Sequence, residues 1–192
     1  MSDLMSEAEL ILKIEQFRWL LRGAIKTAIQ RNPKLRRWVQ EPDIRQEVLL
    51  RLLKAVRVTE IHSDAHFIHL LLLQLRRTII DFHRNIYGPN GWAMNLKSDP
   101  DAIQKDKLTL ENRLVDRFSS GEPITVEEWI DFHLSIEKLS EDEQKVFQMM
   151  FYGQLTDLKV AELLGCSDRT VRRLWRNARL KLQQMINEKR SG

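Results

Sequence analysis

The chain is short of almost everything that would bend, cross-link or anchor it. Cysteine occurs once, at Cys166, so no internal disulfide can form. Glycine and proline number seven and five in 192 residues. Inside a helix they cost about 1 and about 3 kcal/mol respectively, so their scarcity favours helices. No run of eighteen apolar residues exists, and a helix crossing a membrane needs about that many. The N-terminus, MSDLMSEAELILKIEQ, lacks the basic start and the small-residue cleavage site of a signal peptide. A lone cysteine, no span and no leader together lead to the expectation of a cytoplasmic protein. Catalytic signatures are missing as well: there is no Gly-rich phosphate loop, nucleophile elbow or paired-carboxylate motif. Neither an enzyme nor a cofactor is expected.

What is present is apolar periodicity and unevenly placed charge. Hydrophobic residues make up 43% and charged ones 30%, enough for one ordinary domain or two small ones. The net charge of +4 hides a contrast. Residues 155 to 192 hold nine Lys and Arg against four acids, whereas residues 98 to 143 hold five against thirteen. A basic tail behind an acidic connector points to a polyanion as the tail's partner.

Residues 7 to 30 carry Leu10, Ile11, Ile14, Phe17, Leu20, Leu21, Ile25 and Ile29 recurring at three- and four-residue steps, which reads as a helix ended by Asn32-Pro33. Residues 42 to 57 form a second amphipathic helix with Pro42 in its first turn. Residues 66 to 86 form a long apolar one, the expected centre of the N-terminal half. The run Tyr87-Gly88-Pro89-Asn90-Gly91 is the strongest break. These signals divide an all-α chain into a domain at 1–88, a linker at 89–124 with a helix near 107–118, and a second domain at 125–192. In that second unit, helices are expected at 126–138, after the capping box Ser140-Glu141-Asp142-Glu143, and over 157–164 capped by Thr156. Gly165 allows a tight turn, and Ser167 caps a last helix.

On that last helix Val171, Trp175, Ala178 and Leu182 gather on one side, and Arg169, Arg172, Arg173 and Arg176 on the other. Trp175 is expected to pack on the preceding short helix. A short helix, a glycine turn and a capped second helix with a basic outer face make a helix-turn-helix, whose second helix enters the major groove. Arginine suits that task because its fork donates two hydrogen bonds to guanine or to a phosphate. Solvated helix faces usually mix lysine with glutamate, yet no acid intervenes from 169 to 187.

The segments SEDEQKVF, TDLKVAELLG, CSDRTV and WRNARLKL within 136–182 resemble region 4 of bacterial RNA polymerase sigma factors of the sigma-70 family. Trp175-Arg176 and Ala178-Arg179 resemble the extracytoplasmic-function group, especially its planctomycete-like branch. DIRQEVLLRLLKA at 43–55 and LRRTIIDFHR at 75–84 resemble region 2 of the same family. The resemblance implies a non-enzymatic factor that binds core RNA polymerase and promoter DNA, with an anti-sigma factor as a further partner. It places Arg169, Thr170, Arg172, Arg173 and Arg176 on the −35 element, and Arg76, Arg77 and Arg84 near the −10 element. Asp43, Gln46 and Glu47 fall on the polymerase-binding surface. Arg45, Leu70 and Arg77 depart from the usual region 2 pattern. Two other readings fit the helix-turn-helix: a stand-alone regulator, and an anti-sigma decoy that keeps the fold without reading DNA. His62, Asp64, His66 and His69 are spaced too loosely for a metal site, and none is expected.

Overall fold

In the computed structural model, residues 5–30, 33–88, 91 and 126–191 are described. Apart from Gly91, the expected linker and its helix near 107–118 lie outside the described residues. Among the described residues the regular structure is helical throughout, in an all-α arrangement. The N-terminal half contains α1 (Glu7–Gln16), α2 (Arg18–Gln30), the single turn α3 (Pro33–Arg36), α4 (Glu41–Val56) and α5 (Asp64–Tyr87). The C-terminal half contains α6 (Val126–Ser135), a 3-10 turn (Ile136–Lys138), α7 (Glu141–Phe151), α8 (Asp157–Leu164) and α9 (Asp168–Ser191). No helix among these residues is long and apolar enough to cross a membrane.

The single helix expected over 7–30 is two helices meeting at Phe17. Phe17 N–H donates to Lys13 O at 3.1 Å and closes α1, Phe17 O accepts from Leu21 N–H at 3.1 Å and opens α2, and the i to i−4 bonds from residues 18, 19 and 20 are interrupted between them. The junction is therefore a kink. It seats the buried Phe17 ring against Phe67 of α5, with ring centroids 5.7 Å apart. The helix starts are chemically explicit. Ser6 and Glu9 form a capping box on α1, and the Ser63 hydroxyl accepts from His66 N–H on α5.

Helix α5 is the shared wall. Ile44, Val48 and Leu52 of α4 and Leu20 and Ile25 of α2 are buried in one apolar core with Phe67, Leu72, Leu75 and Ile79 of α5. That core continues into Phe147 of α7 and Val171, Ala178 and Leu182 of α9. Gly153, just after α7, lies so close to α2 and α5 that a Cβ there would meet Leu20 and Leu72 methyls at 3.3 Å. The two halves read from the sequence thus touch directly.

One face of α5 gives this packing a pH dependence. His69 is desolvated by burial, and Lys145 of α7 and His66 add positive charge beside it, with Glu141 opposing them. Its pKa is held down at about 4, so the folded chain keeps it neutral. Unfolded, it would titrate near 6.5. The folded state therefore binds fewer protons between these values, and stability is lost as pH falls from about 6.5 toward 4. The loss by pH 4 is on the order of 3 kcal/mol. Thermal melts at several pH values should show a shallower acid slope for His69→Leu than for the parent chain.

Candidate nucleic-acid interface

The helix-turn-helix is built by caps. Thr156 Oγ1 accepts from Lys159 N–H at 3.3 Å and starts α8. Gly165 ends it in the left-handed region, at φ 62° and ψ 34°. The chain then reverses, with Cys166 N–H donating to Ala161 O at 3.0 Å. Ser167 Oγ accepts from Thr170 N–H at 3.2 Å and starts α9. A Cβ at residue 165 would be strained by the positive φ alone, since nothing else lies within 4 Å. Gly165→Ala is expected to cost about 1–2 kcal/mol in thermal unfolding, and Gly165→Asn less, because asparagine tolerates this region. Equal losses would argue against a backbone cause.

The inner side of α9 is fixed by Val171, Ala178 and Leu182, all fully buried. Trp175 is half-buried, and its ring stacks on Phe147 of α7 at 5.2 Å. Phe147 lies one helix before α8, the short helix on which the sequence places Trp175, and the same core holds Val160 and Ala161 of α8. Lys181 anchors the helix further along, donating to both Glu143 oxygens at 2.7 and 2.8 Å. Burial alone would raise the Glu143 pKa. The hydrogen bonds from Lys181 and Ser140 together outweigh it and hold the carboxyl below its ordinary value.

With that side fixed, Arg169, Arg172, Arg173 and Arg176 are all exposed, within an arc of about 100° on the helix. Thr170 is half-buried beside them. Among the described residues, Arg172 alone of the four carries ion pairs, from Nη1 to Asp157 at 3.0 Å and from Nη2 to Asp168 at 2.7 Å. Among the described residues no carboxylate pairs with Arg169, Arg173 or Arg176. The result is a rigid cationic strip at the N-terminal end of a long helix, where side chains can enter a groove.

The N-terminal half separates the three arginines grouped from the sequence. Arg77 and Arg84 are exposed on α5. Arg76 is fully buried, donating from Nη1 to His133 O at 2.6 Å and from Nη2 to Glu137 Oε1 at 2.9 Å. In this arrangement it cannot reach DNA, which corrects its grouping with the other two. The reason is periodicity: Arg76 stands 100° from Arg77, in line with the buried Leu72, Ile79 and Ile80. Around it lies an aromatic contact between the halves. His83 of α5 packs 4.1 Å from Trp129 of α6, Trp129 packs 3.7 Å from His133, and His133 hydrogen-bonds the Tyr152 hydroxyl.

On α4, Asp43 and Gln46 are exposed and Glu47 is half-buried. Asp43 also accepts from Gln40 N–H at 3.0 Å, closing the start of the helix. Glu47 and Asp81 do not act as a free acid pair, because Arg51 bridges them at 2.7 Å on each side. Burial weighs against the Arg51 charge, but its hydrogen bonds to Glu47 and Asp81 raise its pKa above the ordinary value. Asp64 is tied to Lys13, and His62 and His66 lie with rings 5.6 Å apart. Among the described residues, no group of three or more His, Cys, Asp and Glu side chains could hold a metal ion.

Sequence reasoning missed Glu137, His133, Tyr152, Asp157 and Glu143 as partners. Asp157 and Arg172 are fifteen residues apart and Arg76 and Glu137 sixty-one, so no local spacing announces either pair.

Compared with known protein families, residues 135–184 match the family model Sigma-70, region 4. The match covers about a quarter of the chain and spans the 3-10 turn, α7, α8 and most of α9. No curated protein and no solved structure matches the chain.

Proposed function

We propose that this chain, whose C-terminal quarter has the sigma-70 region 4 character of a DNA-binding helix-turn-helix, is a sigma factor of the extracytoplasmic-function type, from the planctomycete-like branch. In this reading Arg169, Thr170, Arg172, Arg173 and Arg176 read the −35 duplex. Asp43, Gln46 and Glu47 of α4 dock on core RNA polymerase, and Arg77 and Arg84 of α5 face the −10 strand. The chain itself performs no chemistry; it directs polymerase. One observation carries the reading: an exposed arc of four arginines, fixed from behind by a packed core, within the segment that matches region 4.

The division of labour follows from chemistry. Arginine forks donate in pairs to base edges or phosphates, which suits duplex. A basic face near unpaired bases supplies backbone affinity for single strand. Two modules on one chain raise each other's effective concentration at a two-part site. The test is run-off transcription with purified core polymerase on genomic promoters, with and without the chain. Chain-dependent transcripts from starts sharing two spaced elements support the reading. Sequence-specific duplex binding by the chain alone, without transcripts, would make it a stand-alone regulator instead.

A further inference from the structure

The outward side of α1 and α2 takes no part in any contact described above. The two helices meet at Phe17, whose N–H closes α1 on Lys13 O and whose carbonyl accepts from Leu21 N–H of α2, so together they form a bent rod. Trp19, Arg22, Gly23 and Lys26 fall along one side of α2, and Leu12 and Glu15 along one side of α1. Leu12 is 70% exposed and Trp19 59%, and Ile11 beside them is 61% exposed. Three large apolar side chains are thus left in water along a single ridge.

Gly23 sits in the middle of that ridge and in the middle of a helix. Nothing lies within 4 Å of where its Cβ would be, and its φ is not positive. Neither backbone nor packing within the chain calls for glycine, which costs about 1 kcal/mol relative to alanine there. A glycine so placed suits the close approach of something else. The charge along the rod says what. Glu7, Glu9 and Glu15 stand in α1 against one lysine, Lys13, whereas α2 carries Arg18, Arg22 and Lys26 and no acid. The rod is acidic at one end, basic at the other and apolar between. Turned end for end, it is complementary to itself, which is the requirement for a two-fold interface.

We propose that this ridge is a homodimer interface: two copies of the chain cross antiparallel, Trp19 of each seated over Gly23 of the other. The same two-fold brings Glu15 of each copy opposite Lys26 of the other, and Arg22 beside the other copy's indole. Glu15 also has Arg18 at 3.5 Å, but both are largely exposed, so that pair is weak and does not hold Glu15 back. The inference stands whether or not the chain reads promoters. A contact built on three apolar side chains per copy corresponds to weak association, so the mass is to be followed by sedimentation from about 5 µM to about 1 mM.

The full chain is expected to rise from 22.8 kDa toward twice that mass with concentration. Gly23→Leu and Trp19→Ala should each hold it at one chain. Gly23→Leu improves helix propensity, so circular dichroism should show folding intact. Glu15→Lys and Lys26→Glu should each weaken the dimer, and the two together should restore it. A mass of one chain throughout, or a dimer indifferent to both Gly23→Leu and Trp19→Ala, overturns the proposal. So does a monomer whose binding to core polymerase is weakened by Gly23→Leu, which would assign the ridge to polymerase.

Discussion

Glu137→Ala is expected to loosen the contact between α5 and α6 by about 3 kcal/mol, whereas Arg76→Met should change it by less than about 1 kcal/mol. The two residues form one ion pair, yet they stand in different surroundings. Arg76 is fully buried, and the Glu137 side chain is 47% exposed. Removing the glutamate strands a guanidinium away from water with the His133 carbonyl as its remaining hydrogen-bonded partner. Removing the arginine leaves a carboxylate that water can hydrate, and methionine fills most of the vacated space. Thermal melts and the scattering radius of both variants would show the asymmetry; equal losses would mean that desolvation of Arg76 is not what governs this contact. On the proposed reading the variant has a functional consequence too. Elements centred about 25 base pairs apart lie about 85 Å apart along a duplex at 3.4 Å per pair. A compact body of about 150 residues has a radius of gyration of about 15 Å. Packed together, the halves cannot reach both elements. The 34 residues from 92 to 125 could span at most about 115 Å. Glu137→Ala should therefore raise transcription at limiting core polymerase, by making the separation easier.

The second large effect concerns the arginine arc, and it divides along the helix. Arg169 and Arg173 lie in the first turns of α9, nearest a groove floor, and Arg176 lies a turn further on. Alanine at 169 or 173 is expected to cost about 1–3 kcal/mol on the preferred duplex and to relax sequence preference there. Alanine at 176 should weaken binding to all duplexes alike and lower the salt dependence by roughly one contact. Titrations of preferred and scrambled duplexes at two salt concentrations would separate these outcomes. A uniform loss from every substitution would reduce the arc to a phosphate clamp without base readout.

Legibility followed the range of the interaction. The helix-turn-helix could be read residue by residue because its signals are local. Thr156 and Ser167 cap within three residues, Gly165 supplies the turn where it stands, and the 3.6-residue period sorts Val171 and Ala178 from Arg172 and Arg173. The kink at Phe17 was not legible, since the apolar pattern continues through it. Arg76 was misplaced for a related reason. Two adjacent arginines look alike in a sequence, but they point 100° apart, and only the packing of α5 against α6 shows which one is enclosed. Trp175 was correctly turned inward, yet its stacking partner is Phe147, twenty-eight residues earlier. Sequence periodicity gives a side, not a neighbour.

The two carboxylates that hold Arg172 bear on discrimination as well as on placement. An arginine with free hydration can take any phosphate it meets. On the proposed reading, Arg172 already has Asp157 and Asp168 as acceptors, so an incoming nucleic acid must offer somewhat more than these two exposed and individually weak pairs. A single glancing phosphate does not, whereas a paired acceptor such as the edge of guanine can. The internal acids thereby act as a standing competitor that raises the threshold for engagement. On the proposed reading they would favour release from random duplex slightly more than from a matched site, a selectivity gained by subtraction.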